Sequence, residues 1–215
     1  MSTVGIVGAG KVGTTLARHL LAAGDRVLLA GSGDPVMTGL ITATVTPGAE
    51  AVWAADAVSN ADLVVLALPF GRVSMLDAAS FAGKTVVDAT NHWEPVDGRR
   101  PDFAHDDDGT SEWIAGLLPG ARVVKAFGHL GYHDFDALAR PRGHAQRIAL
   151  AAAGDDPAAV AEVAALIDRL GFDAVSLDTL ASGRAFEPGT AAFGRPTDAA
   201  TLRALLTADP VRLGA

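Results

Sequence analysis

The chain has 215 residues, about half of them hydrophobic, no cysteine, and a net charge of −8. That length carries one large domain, or a domain with a small appendage, and a sizeable core. The lack of cysteine excludes disulfides, thiolate nucleophiles and cysteine-ligated metals. The acidic balance lacks the basic footprint of a nucleic-acid binder.

"TVGIV" (3–7) is an apolar run of strand length, as expected of a strand covered on both faces. Residues 13–23 follow as a predicted helix, with Leu16, Leu20 and Ala23 on one face and Gly24 as its stop. "RVLLA" (26–30) is the second strand. Residues 36–46 read two ways: "ITATVT" is β-branched, yet a crossover helix is due there. "EAVW" (50–53) is a short third strand and "ADLVVLALP" (61–69) a strong fourth, stopped by Pro69. Residues 72–80 are helical, and "KTVVDAT" (84–90) is the fifth strand. A helix over 110–118 precedes "RVVKAF" (122–127), the sixth, and "QRIALAAA" (146–153) is the seventh. Asp156-Pro157 opens a helix with an N-cap acceptor and a proline in the first turn. Its apolar stripe is Val160, Val163, Ile167 and Leu170, and Gly171 ends it. "FDAVSLD" (172–178) is the eighth strand. This alternation predicts an α/β fold, a Rossmann-type doubly wound and mainly parallel sheet. Two stretches, 92–109 and 128–143, resist assignment; both follow strand C-termini, the edge where such sheets bind ligands.

The longest clear apolar run, "LVVLALPF" (63–70), is too short to cross a membrane. The N-terminus lacks the basic segment and cleavage site of a signal peptide. A cytoplasmic protein without a membrane partner is the expectation.

"GAGKVG" (8–13) fits G-x-G-x-x-G in the required context, after an apolar strand and at the start of a helix. Gly8 would allow the tight turn, Gly10 the approach of a pyrophosphate, and Gly13 close packing of helix on strand. The first-turn N–H groups and the helix dipole favour an anion there. Lys11, one of only three lysines, reads equally as a phosphate contact or a solvated loop residue. After the second strand the chain reads "GSGDP", with no acid at Ala30 or Gly31 to clamp a ribose and no arginine to meet a 2′-phosphate. Ser32 and the turn N–H groups remain as donors, so NADP is favoured over NAD only modestly, and NAD remains possible.

These segments resemble the NADPH-dependent reductases of the deazaflavin coenzyme F-420 and their wider group of NADP oxidoreductases. The resemblance rests on "VGIVGAGKVGTTLA", "GSGDP", "DLVVLALP", "VVDATN", "LPGARVVKAF" and "AAVAEVAALIDRLGFDAVSLDTLASGRAFEPGT", in that order over most of the chain. It implies a Rossmann core over 1–128, and a smaller part over 129–215 that continues the sheet and walls the acceptor side. It also implies a homodimer, and hydride transfer between NADP(H) and a small redox acceptor, with coenzyme F-420 as a possible co-substrate. By the resemblance Ala9 to Val12 line the pyrophosphate, Ser32 and Gly33 face the adenosine ribose, and Leu68 and Pro69 pack on the cofactor. Asn91, Gly128 and His129 lie near the nicotinamide and acceptor. The chain departs from the family in reading Ser32-Gly33 where relatives have Ser-Arg, and "KAFGH" where they have "KAFN".

Hydride transfer to a flavin-like ring needs orientation and dryness more than side-chain chemistry. The polar candidates at strand ends are Asn91, Lys125 and His129; for each, a structural role competes with a catalytic one. The single tyrosine, Tyr132, is followed four residues later by Asp136, so no Tyr-x-x-x-Lys pair exists. His129 and His133 are separated by Gly131 and lack an acidic partner at metalloprotease spacing, and "HDDD" (105–108) reads as a solvated acidic loop, so no metal site is expected. Arg99 and Arg100 are open to an anionic tail, and Trp93 to a place in the acceptor wall. The competing function is a non-catalytic NAD(P)-binding module that senses redox state.

Overall fold

The computed structural model describes residues 1–99, 103 and 109–207. Its strands are β1 Thr3–Val7, β2 Arg26–Ala30, β3 Glu50–Ala51, β4 Leu63–Leu66, β5 Thr85–Asp88, β6 Arg122–Ala126, β7 Ala149–Gly154 and β8 Asp173–Leu177. They form one sheet in the order β3-β2-β1-β4-β5-β6-β7-β8. Strand β1 pairs in parallel with β2 on one side and β4 on the other, so the order reverses at its C-terminal end. This switch point is where an open α/β sheet leaves a crevice. The sheet is parallel through β6. Strand β7 then runs antiparallel to β6, with Val124 opposite Gly154 and Ala126 opposite Ala152, and β8 runs parallel to β7. The fold is Rossmann-type, doubly wound and mainly parallel.

The helices are α1 Lys11–Ala22, α2 Pro35–Val45, α3 Ala54–Ser59, α4 Glu94–Asp97, α5 Thr110–Leu117, α6 Tyr132–Leu138, α7 Pro157–Arg169 and α8 Ala199–Thr207. Alternate residues of the central strands feed two cores. On one face Ile6, Leu29, Val65, Val87, Val124 and Leu150 pack with α1 and α7 through Leu16, Leu20, Val163 and Ile167. On the other, Val7, Val64, Leu66, Val86 and Val123 meet Phe70, Phe81, Ile114 and Leu118. A smaller core joins β7 and β8 to Phe186 and Leu202 of α8.

β1 and β2 match the sequence reading residue for residue. Asp156 caps α7 as expected, its carboxylate accepting from the Ala158 and Ala159 N–H groups at 2.9 Å. Several expectations need correcting. Helix α1 starts at Lys11 rather than 13, because Gly10 is its N-cap. The ambiguous 36–46 segment is helical: Asp34 caps it, its carboxylate accepting from Val36 N at 2.8 Å, and Pro35 sits in its first turn. The third strand ends at Ala51, and the chain turns at Trp53 into α3, too short to show a helical period. Residues 72–80 fall across two 3-10 turns, Phe70–Met75 and Ala78–Phe81. The stretch 128–143 contains α6, and α4 lies within 92–109. Arg100 and the acidic run 105–108 lie outside the described residues. Arg99 pairs with Glu94 at 3.3 Å, both largely in solvent.

Candidate functional site

The loop after β1 shows why three glycines stand there. Gly8 has φ +125°, and a Cβ on it would lie 2.2 Å from the Ala67 carbonyl oxygen beyond β4. A Cβ on Gly13 would lie 1.8 Å from the Gly8 carbonyl oxygen. Helix α1 therefore seats directly on the loop, and both positions exclude any side chain. Gly10 differs: a Cβ there would meet nothing within 4 Å. As N-cap of α1 it offers no side-chain acceptor, and the first turn holds no acid. The N–H groups that open a helix are unpaired within it, so those of Lys11, Val12 and Gly13 face an open cradle at the positive end of the dipole.

Two further segments leave neighbouring strands on the same edge of the sheet. Leu68 is half-buried and Pro69 exposed where the chain leaves β4. Ser32 and Gly33 are exposed beyond β2, and a Cβ on Gly33 would meet nothing within 4 Å. The acid of this loop, Asp34, is committed to capping α2.

The segment after β6 folds back over α1. Arg18 and His19 on α1 reach Asp136 on α6 at 2.8 and 3.0 Å; desolvation acts to raise the Asp136 pKa, but the hydrogen bonds and charges of His19 and Arg18 together hold it below its ordinary range. Lys11 Nζ lies 5.2 Å from the centre of the Tyr132 ring. The Tyr132 hydroxyl beside it acts to raise the pKa of the exposed Lys11 ammonium.

Beneath that segment the backbone is strained. Phe127 has φ +65°, rare for a residue with a side chain. Gly128 N–H donates back to the Ala126 carbonyl at 2.8 Å, closing a three-residue γ-turn. The Asn91 amide donates from Nδ2 to the Gly128 carbonyl at 2.6 Å, pinning the turn to the end of β5. A Cβ at Gly128 would stand 3.2 Å from that same nitrogen, so position 128 is tight as well as turned. Thr90 Oγ1, Asn91 Oδ1 and His129 Nδ1 are buried here without a hydrogen-bond partner. Such atoms are rare in folded proteins, and each costs free energy that the rest of the fold offsets.

His129 is buried, with Nε2 accepting from Ala151 N–H of β7 at 3.3 Å and its ring edge-on to Phe186. Burial, with the Lys125 charge nearby, pushes its pKa down to about 4. The ring is neutral at physiological pH, and its accepting Nε2 leaves the proton on Nδ1. Lys125 points elsewhere. Its ammonium, 1 % exposed, donates to Thr110 Oγ1 at 2.7 Å and lies 3.4 Å from Glu187 and 3.8 Å from Asp88. Glu187 accepts from both the N–H and hydroxyl of Thr110, and Asp88 accepts from the Ser111 hydroxyl and the Thr90 N–H. Gly183 makes room for the lysine: a Cβ there would meet Lys125 Cδ at 2.7 Å.

The structure thus brings Asn91, Gly128 and His129 together at the ends of β5 and β6, and sends Lys125 into a separate buried network. Trp93 is exposed two residues beyond Asn91, its N–H donating to Asp97 at 2.7 Å. Tyr132, Phe127, Thr110 and Glu187 were missed from sequence. A lysine inside "VVKAF" is the one sign that a buried counter-charge is needed; nothing marks Glu187 as the partner.

Among known proteins, the family described as NADP oxidoreductase, coenzyme F-420-dependent, matches residues 3–92. The hypothetical protein SMa0349 from Sinorhizobium meliloti is 32% identical, with a TM-score of 0.78 over 91% of this chain and 95% of that one. A protein from Arthrobacter sp. FB24, provisionally named an F-420-dependent NADP reductase, is 27% identical with a TM-score of 0.69, over 86% of this chain and 87% of that one. A 3-hydroxyisobutyrate dehydrogenase from Mycobacterium tuberculosis, 16% identical with a TM-score of 0.61 over 86% of this chain and 57% of that one, shares the fold. No curated protein matches. Together with the glycine loop at the switch point, these findings make the chain an NAD(P)-dependent oxidoreductase, and it belongs to the NADP oxidoreductase, coenzyme F-420-dependent, family.

Proposed function

We propose that this protein transfers hydride between NADP(H) and a planar, deazaflavin-like acceptor of the coenzyme F-420 kind. The observation that carries the reading is the cradle at Gly10: an uncapped, acid-free helix start beside open space at the sheet's switch point. The residues present fit a dinucleotide. The N–H groups of Lys11 to Gly13 would hold the pyrophosphate, with Lys11 adding charge. Ser32 Oγ and the turn around Gly33 would meet the adenosine ribose or its 2′-phosphate. Leu68 and Pro69 would pack on the cofactor, with Asn91, Gly128 and His129 toward the nicotinamide.

The bound nicotinamide supplies or accepts the hydride, and the protein contributes orientation and exclusion of water. Asn91 fixes the Gly128 carbonyl and the strained turn, and so the shape of the wall at that end. Neutral, buried His129 is poorly suited to donate a proton, and the Lys125 ammonium is already committed to Thr110 and two carboxylates. A carbonyl substrate would require a donor for its developing alkoxide; a deazaflavin-like ring makes no such demand on these residues. Lys125 is then a positioning residue.

The test is a titration of the purified protein with NADPH and NADH, followed by addition of coenzyme F-420. Binding of NADPH and a fall in its absorbance on adding the deazaflavin are expected. Failure to bind either nucleotide would sink the proposal. Binding without turnover of deazaflavin, flavin or quinone would favour a redox-sensing module.

A further inference from the structure

Helix α2 is inside out. The residues it turns toward the sheet are threonines: Thr38 and Thr42 are buried, and so is Thr46 at its C-cap. Their spacing of four places them on one ridge. Two of the hydroxyls bond back to the helix itself, Thr42 to the Gly39 carbonyl and Thr46 to the Thr42 carbonyl, at 3.2 and 3.3 Å. Their methyl groups can then serve as the packing surface. The opposite side carries Val36, Met37, Leu40 and Ile41, each 59–70% exposed, and Val45, 40% exposed. A surface helix of a monomer shows the reverse.

We infer that this outer face of α2 is the contact by which two copies of the chain pair about a two-fold axis. Three observations select a second copy as the occupant. First, the spacing 36, 37, 40, 41 and 45 follows the i±4 ridges, which interdigitate with an identical set at about −50°, and a two-fold contact requires a self-complementary patch. Second, residues 35–49 contain no charged side chain in a protein of net charge −8. Copies repel each other wherever their acidic surfaces meet, and this face adds nothing to that repulsion. The lack of lysine and arginine also makes it unlike helices that lie on anionic membranes. Third, the size fits: the five side chains leave on the order of 550 Å² in water, at the top of the ~300–600 Å² of a typical monomer's largest patch, and pairing would remove roughly 1,100 Å² from the two copies, just above the ~1,000 Å² of a specific interface. An interface of that size pairs reversibly.

The absence of cysteine from the chain makes the contact directly readable. In sedimentation velocity the wild-type protein is expected as a dimer at micromolar concentration. Leu40→Glu, which buries two like charges at the centre, is expected to raise the dimer dissociation constant at least a hundredfold. Circular dichroism and urea unfolding report whether the fold is kept. Mixing Leu40→Glu with Leu40→Lys should restore a one-to-one dimer. Leu40→Cys and Met37→Cys should form a disulfide-linked dimer on mild oxidation, whereas Ser59→Cys, exposed on α3, should not. A wild-type protein that stays monomeric at high concentration would overturn the inference, whether or not it then binds lipid vesicles or another protein. So would a dimer whose dissociation constant ignores Leu40→Glu. Both readouts are independent of cofactor chemistry, so failure here leaves the proposed reaction untouched, and the reverse also holds.

Discussion

Alanine at Gly10 and alanine at Gly13 should fail in opposite ways. At Gly13 the added methyl would have its carbon 1.8 Å from a backbone oxygen, and 3.3 Å from Ile6 Cγ2. Backbone cannot yield as a side-chain tip does, so α1 must shift off the loop, at about 2–3 kcal/mol or more. At Gly10 the same methyl meets nothing within 4 Å, and the residue's φ of −80° and ψ of −170° suit any amino acid. Stability should change by less than about 1 kcal/mol, the difference between glycine and alanine at an N-cap. The methyl would stand where a pyrophosphate must approach the first-turn N–H groups, and NADPH affinity should fall at least tenfold, about 1.4 kcal/mol. Urea unfolding measured beside NADPH titration separates the two effects. A Gly10→Ala variant with wild-type affinity for NADPH would refute the placement of the phosphates over that helix start.

Gly33→Arg should raise the NADPH-to-NADH affinity ratio about tenfold, because position 33 has room for a guanidinium and no acid free to oppose a 2′-phosphate; an unchanged ratio would place the phosphate elsewhere. His129, held at about 4 in the fold against 6.5 as its ordinary value, takes up fewer protons than the unfolded chain between those limits. Its contribution to stability is present above pH 6.5 and is lost as pH falls toward 4, by about 2 kcal/mol between pH 7 and 4.5. His129→Gln, which keeps an acceptor for Ala151 N–H, should remove that part of the pH dependence in denaturant unfolding; an identical slope would mean that His129 titrates normally. Glu187→Ala should cost about 3 kcal/mol by leaving Lys125 buried with only the more distant Asp88. Lys125→Met combined with Glu187→Leu should cost less than that single change, and a single change worth under about 1 kcal/mol would show the network to be idle.

The legible parts of this molecule are those in which local chemistry and tertiary structure agree. Strands β1 and β2 carry unbroken apolar runs, the three glycines sit at fixed spacing, and Asp156 precedes Pro157 where a helix must start. Helix α2 was ambiguous because its pattern inverts the usual rule: threonines face the sheet, and Val36, Met37, Leu40 and Ile41 face water. Periodicity says which residues share a face without saying which face is inside. The direction of β7 could not be read either, since a fully buried strand has the same composition whichever way it runs. The candidate site divides in the same way. The cradle follows from contiguous residues, whereas the turn at Phe127 and the Lys125 network depend on Asn91, Thr110 and Glu187, brought in from distant parts of the chain.

The reversal of β7 has a consequence for how this enzyme changes. In a βαβ unit the connection must travel the length of the sheet and return in a right-handed sense, which fixes its length and its course. Because β7 is antiparallel to β6, the stretch from Phe127 to Ile148 begins and ends at the same edge of the sheet. It has no crossing to make. Phe127, Leu130, Phe135 and Ile148 of that stretch join the core, but between them a change of length needs no change of topology, and the same stretch packs α6 on α1 and lays Tyr132 beside Lys11. Length changes between α6 and β7 can thus reshape the surface beside Lys11 while strands β1 to β6 keep their order and direction.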